Sequence, residues 1–235
     1  MSRLHVTRPE IQKIVESIVG ETDHYPGGPM RDFECVGRDA FIVLLRNGLL
    51  PFHRVLDFGC GSPRLGYWLV RFLDAGCYYG MEPIRKGVEA GVKHAIGHQL
   101  NDSKRPRFEF ADTCDLSVFG TAFEFVIARS ILTHTAPGML NAILKSFAGA
   151  APDGILLASY WATEGKYVID TSIADPKHVV AVGDELPETD KRFVAFMKYS
   201  FQYMQYAADK AGLAVEALND VEPINEQIWL RFWRK

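Results

Sequence analysis

The 235-residue chain has only four cysteines, Cys35, Cys60, Cys77 and Cys114, and no two form a C-x-x-C pair. That excludes zinc-ribbon, thioredoxin-type and iron–sulfur motifs. Four thiols are also too few for a disulfide scaffold, and three of them lie beside or within apolar runs, where they read as small hydrophobes. No acidic cluster stands out for a catalytic magnesium ion, and no metal is expected. No run of 18 apolar residues exists, so no membrane-spanning helix is expected. The opening MSRLHVTRPE lacks the apolar core of a signal peptide, and the expected compartment is the cytoplasm. Basic excess is missing too: 26 Lys and Arg stand against 29 Asp and Glu, a net charge of −3. A duplex-coating protein is ordinarily basic, so no nucleic-acid partner is expected, a local patch aside. What is present is 48% hydrophobic and 23% charged, a globular composition. A chain of this length buries on the order of 70% of its unfolded surface.

Apolar spacing predicts helices over 10–20 and 36–47, the second stopped by Gly48, with the loop HYPGGPMRDF (24–33) before it. The chain then alternates. Strand RVLDF (54–58) leads through a glycine turn to a helix over 63–74. Strand CYYGM (77–81) precedes a helix near 84–97. Strands FEFA (108–111) and FEFVIA (123–128) precede a helix over 137–149 and strand ILLASY (155–160). Alternating strands and helices imply a parallel sheet with helices on both faces. Residues 161–191 form an excursion of about 30 residues with no strong period, of the kind that serves as a lid or binding loop. A helix over 193–211 and strands 213–218 and 226–233 complete the chain, the last two close enough to pair antiparallel. Two regions are expected: an N-terminal helical segment and lid over 1–50, and an α/β domain over 51–235 that includes the excursion.

The segment VLDFGCGSPRLG (55–66) follows a strand and opens a helix. Gly59 and Gly61 allow close backbone approach, and a helix start offers free N–H groups. Ser62 reads as its N-cap and Pro63 as its first residue. A phosphate-cradling P-loop needs a lysine that is absent here. A dinucleotide turn needs a third glycine where Arg64 stands. S-adenosylmethionine, which has no pyrophosphate, remains, as does a tight turn without a ligand. Asp57 could face an ammonium group. Glu82, 25 residues on, ends the second strand and could bind ribose hydroxyls or serve as a helix-start acid. Asp112, ending the third strand, could take an adenine amino group or be a turn residue, with Asp115 competing.

The element order and the motifs VLDFGCGS, YYGMEP, FADTCD and FEFVIARSILTH resemble class I S-adenosylmethionine-dependent methyltransferases over residues 33–233. GCGSPR resembles a bacterial branch with GCGS-[L/P]-R, and Pro63 departs from the commonest family glycine. The resemblance implies an α/β, Rossmann-like three-layer sandwich. Its seven-stranded, mostly parallel sheet would have the order 3-2-1-4-5-7-6, with the seventh strand antiparallel. It implies S-adenosyl-L-methionine held by Asp57, Gly59, Cys60 and Gly61, with Glu82 and Pro83 at the ribose. Asp112 and Thr113 would lie at the adenine, and Arg129 or Ser130 beside the cofactor.

His134 follows the fourth strand and could be the general base, or a loop residue packing on the next helix. His24 and Tyr25, beside a Gly-Gly hinge, could close over the site or be ordinary surface loop. Tyr160, Trp161, Glu164 and Tyr167 are candidates for an acceptor pocket, the two aromatics of the fifth strand equally for plain core packing. No D/N-P-P-Y/F tetrapeptide and no Pro-Cys pair is present, which argues against nucleic-acid bases as acceptors. The expected activity is methyl transfer to a small molecule, lipid or sugar, at oxygen by general frequency. The alternatives are a non-catalytic S-adenosylmethionine-binding protein and an NAD-dependent oxidoreductase.

Overall fold

A computed structural model describes residues 8–22, 32–169, 189, 196–221, 223 and 225–235. The chain divides into two compact units, Met1–Asp112 and Thr113–Lys235.

In the first unit, helix α1 (Pro9–Glu21) buries Ile11, Val15 and Ile18 on one face, against Phe33, Ala90 and Ala95. Its apolar residues recur every three to four positions, which makes one stripe of a helix. Helix α2 (Phe33–Arg46) ends before Gly48, whose φ of +88° suits glycine. Strand β1 (Val55–Phe58) and strand β2 (Tyr78–Met81) are buried at every position, as runs that are apolar but for Asp57 require. They pair in parallel, Asp57 opposite Gly80, and β3 (Arg107–Glu109) adds in parallel to β2.

Two expectations are corrected here. Helix α3 spans Gly66–Phe72, so Ser62 is not its N-cap nor Pro63 its first residue; 61–65 form a turn. The helix expected near 84–97 is α4 (Arg85–Gly91) followed by a π-helical turn, Val92–Ile96. The residues after it are helical too, as α5 (His98–Lys104), which buries no residue.

In the second unit, β4 (Phe125–Ala128) pairs in parallel with β5 (Ile155–Ala162), and α6 (Pro137–Ala150) connects them. Strand β6 (Tyr167–Ile169) and strand β7 (Met197–Tyr199) form an antiparallel pair. Helix α7 (Phe201–Lys210) starts at Ser200, whose hydroxyl accepts from the Tyr203 N–H. The predicted helix over 193–211 is therefore shorter, and 197–199 is strand because it pairs with Trp161 and Ala162. Strand β8 (Leu213–Ala217) pairs antiparallel with β9 (Ile228–Arg234), and β9 antiparallel with β5 along 155–160.

The first unit thus orders its strands β3-β2-β1 and the second β4-β5-β9-β8, with β7-β6 on the last residues of β5. The first run matches the 3-2-1 part of the expected order and the second its 4-5-7-6 part, with the β6–β7 pair as an addition.

Candidate functional site

The turn after β1 carries the first unit's concentration of chemistry. Gly59 and Gly61 have φ of +73° and +58°, a region costly for any side chain. The N–H groups of Gly59 and Cys60 both donate to the Met81 carbonyl, at 2.8 and 3.2 Å, tying the turn to the end of β2. Glu82 follows. Its Oε2 accepts from the Gly61 N–H and its Oε1 from the Ile84 N–H, each at 3.1 Å. The side chain is buried, and each oxygen retains capacity for a further donor.

Asp57 is buried, and its Oδ2 accepts from the Tyr78 hydroxyl at 2.9 Å. Burial pushes its carboxyl up to about 7; the Tyr78 bond and Arg64 pull down, while the Glu82 charge pushes up. Burial likewise raises the Tyr78 hydroxyl and the Cys60 thiol well above their ordinary values. Ser62 is 1% exposed, and its hydroxyl oxygen has no hydrogen-bond partner among the described residues. A buried hydroxyl without a partner is costly, and at a glycine turn it fits a polar ligand.

Glycines elsewhere make room for this turn. A Cβ on Gly91 would lie 2.5 Å from Pro63 Cδ, and one on Gly66 2.7 Å from Pro63 Cβ. One on Gly37 would lie 2.6 Å from the Arg64 carbonyl oxygen. Pro63 is thus accommodated by missing side chains on α3 and α4, and Arg64 by one on α2.

Asp112 is exposed and closes the first unit, and Pro83 is exposed in the β2–α4 connection. Asp115, its competitor, is committed locally. Its Oδ1 caps the 3₁₀ turn Leu116–Phe119 through the Ser117 N–H and hydroxyl, which hold its carboxyl low. Thr113 accepts from the Asp115 N–H at 3.1 Å.

In the second unit, Ser130 follows β4 with φ of +62°, an uncommon conformation for a residue with a side chain. Its N–H donates to the Ser159 hydroxyl at 2.8 Å. Arg129 donates to Gln227 Oε1 and to the Ser130 hydroxyl, and Ser159 donates to Gln227 Oε1 at 2.7 Å. Strand ends β4, β5 and β9 therefore meet in one polar cluster. His134 ends the 3₁₀ turn Leu132–His134 and lies against Phe196, ring centroids 5.6 Å apart. Trp161 lies tilted against Phe196, also at 5.6 Å, and donates from Nε1 to the Asn225 carbonyl at 2.8 Å.

Tyr160 is buried on β5. Tyr167 packs on Tyr199 and Tyr203 at 6.0 and 5.1 Å, and exposed Glu164 lines a cleft with Lys166, Ser200 and Tyr203. His24 and Tyr25 lie outside the described residues, as do 170–188 and 190–195 of the excursion.

Sequence reading missed Tyr78, Ser159, Gln227 and Phe196. Tyr78 had a signal: with Asp57 opposite Gly80, residue 78 shares their face of the sheet. Gly80 stands between them on that face, where a Cβ would meet Phe108 Cδ1 at 2.7 Å and Cys60 Sγ at 3.0 Å. Gln227 and Ser159 had none, because only the register of β5 against β9 brings them together.

No protein-family model matches the chain. No curated protein matches it either. Solved structures do. A magnesium protoporphyrin IX methyltransferase from Synechocystis with bound S-adenosylhomocysteine is 18% identical, with a TM-score of 0.60 over 95% of this chain and 94% of that one. A DhpI complex with S-adenosylhomocysteine is 13% identical, with a TM-score of 0.61 over 97% and 98%. An S-adenosylmethionine-dependent methyltransferase from Leishmania major is 14% identical, with a TM-score of 0.58 over 95% and 82%. At these identities the likeness shows the fold alone, a Rossmann-like mixed α/β fold shared with class I methyltransferases.

Proposed function

We propose that this chain binds S-adenosylmethionine and transfers its methyl group to a small molecule, lipid or sugar, with oxygen as the favoured acceptor atom. The observation that carries this reading is the first-unit cradle. The Glu82 carboxylate is anchored by two backbone N–H groups, beside two left-handed glycines and the buried, unpartnered Ser62 hydroxyl. Those groups suit a ribose and an amino-acid moiety. The fold's likeness to structures holding S-adenosylhomocysteine supports it.

When bound, S-adenosylmethionine supplies an electrophilic methyl group and its own leaving group. The residues of this chain bind and align. Glu82, next to Pro83, accepts the ribose hydroxyls with its remaining lone pairs. Asp57 receives the ammonium group, and the backbone of Gly59, Cys60 and Gly61 lies against the methionine part. Asp112 and Thr113 serve the adenine edge, and Arg129 or Ser130 lies beside the cofactor. His134 takes the acceptor's proton on a ring nitrogen, while the 161–191 excursion, with Tyr160, Trp161, Glu164 and Tyr167, and the His24–Tyr25 segment shape the acceptor site.

Calorimetric titration tests the reading. S-adenosylmethionine and S-adenosylhomocysteine should bind with micromolar dissociation constants, about −8 kcal/mol. NAD binding as tightly would overturn it. A screen of acceptors with labelled cofactor then separates an enzyme from a binding protein. With an acceptor in hand, His134→Ala should slow transfer by about 10²–10⁴ with cofactor affinity unchanged; a rate within about threefold of the parent removes His134 from the chemistry.

A further inference from the structure

We propose that Tyr78 is a positioning residue for ligand capture: its hydroxyl, donated to Asp57 Oδ2, sets the carboxylate that receives the ammonium group, so that binding is tied to release of a proton. This rests on the S-adenosylmethionine reading given above. Asp57 and Tyr78 are both nearly free of solvent contact, 4% and 2% exposed. The groups facing Asp57 are Tyr78 and Glu82 from β2 and its end, and Arg64 and Cys60 from the turn. Of these, Tyr78 makes the direct bond to the carboxylate, at 2.9 Å. Space for that bond is reserved: a Cβ on Gly66, the first residue of α3, would lie 2.8 Å from the Tyr78 hydroxyl oxygen.

Two opposing effects meet at this carboxyl. Burial and the Glu82 charge favour the protonated form, and the Tyr78 hydroxyl favours the ionised one. An arriving ammonium group needs the ionised form. In the neutral range the Asp57 O–H bond therefore breaks on binding, the proton leaves to solvent, and the carboxylate faces the ammonium group. Tyr78 lowers the cost of that step. An N–H or O–H bond to a charged group is worth about one pKa unit, or tenfold in the population of the ionised form.

The test is the affinity of wild type and Tyr78→Phe for S-adenosylhomocysteine at pH 6, 7 and 8, by calorimetry in two buffers of different protonation enthalpy. Wild type should bind about tenfold tighter at pH 8 than at pH 6, releasing a proton at the lower pH. Tyr78→Phe should be about tenfold weaker than wild type at pH 6 and within about threefold at pH 8. A tyrosine that merely packs would weaken binding by the same factor at each pH, and that result overturns the proposal. Asp57→Asn is the second variant, informative even if Tyr78→Phe folds poorly. Its binding should be weak and flat across the range, with no proton released; a surviving pH dependence places the titrating group elsewhere and overturns the proposal as well. If wild type binds no S-adenosylhomocysteine at any pH, the cofactor reading falls, and this proposal with it.

Discussion

Glu82 does two things that pull in different directions under mutation. Its carboxylate anchors the Gly61 and Ile84 N–H groups, and it is the group offered to a ribose. Read from sequence, Glu82→Ala weakens cofactor binding and leaves the fold intact; the two backbone bonds add a structural cost. Removing the carboxylate leaves two amides without their acceptor, which costs about 1–3 kcal/mol each where water cannot reach. Glu82→Ala should therefore lower the melting temperature by several degrees and weaken S-adenosylhomocysteine binding by on the order of 2–4 kcal/mol. Glu82→Gln keeps one acceptor oxygen and should lose less of both. Calorimetric titration alongside thermal unfolding checks this. A Glu82→Ala protein that melts like wild type would mean the turn holds itself; one that binds like wild type would take Glu82 out of the ligand site.

At the scale of elements, strands were the legible part of the fold. The runs VLDF, YYGM and FVIA are apolar but for Asp57 because both faces of each strand are covered, and no amphipathic helix has that pattern. The start of α3 was not legible. Ser-Pro is a good local start signal, yet Pro63 stands three residues ahead of the helix, in space that the missing side chains of Gly66 and of Gly91 on α4 leave to it. Strand β7 was read as helix because FMKYSF has no feature against helix; pairing with β5 and β6 decides it. Of the candidate site, Asp57 and Glu82 were visible as strand-end acids, whereas their partners depend on register. The glycine contacts yield a prediction. Gly91→Ala puts a methyl 2.5 Å from Pro63 Cδ, so either the turn or α4 must shift, at about 1–3 kcal/mol. Gly149, exposed on α6, meets nothing within 4 Å. Gly149→Ala should raise stability by about 0.5–1 kcal/mol. Chemical denaturation of the pair measures the difference; equal effects would mean that the turn yields freely to Gly91.

Stability of the whole molecule should have an unusual dependence on pH, set by Asp57. A group whose carboxyl is raised in the folded state stabilises it fully below the unfolded value and loses that contribution as pH rises through the folded value. For Asp57 those limits are 3.8 and about 7. The total is roughly 4 kcal/mol, of which roughly 2–3 kcal/mol disappears between pH 5 and pH 8. The opposite sign holds for Glu34, which Arg8 holds low against the effect of burial, and for Glu21, held low by Lys93 and His94. Asp115 belongs with them. Their stabilisation is present above the ordinary carboxylate range and is lost on acidification. The ligand-free protein should therefore be most stable on the acid side of neutrality, near pH 5, and its melting temperature should fall by about 5–10 °C by pH 8. Asp57→Asn should abolish that fall, and at pH 8 should melt above wild type. Saturating S-adenosylhomocysteine should work in the same direction by a different route. At a hundred times its dissociation constant a ligand adds about 2.7 kcal/mol, and at fixed concentration it adds more where it binds tighter. The liganded protein should accordingly lose less stability than the free protein between pH 5 and pH 8. Scanning calorimetry of wild type and Asp57→Asn, with and without the ligand at both pH values, measures each of these differences. A wild-type melting temperature that holds level or rises from pH 5 to pH 8 would mean that Asp57 is already ionised in the ligand-free fold.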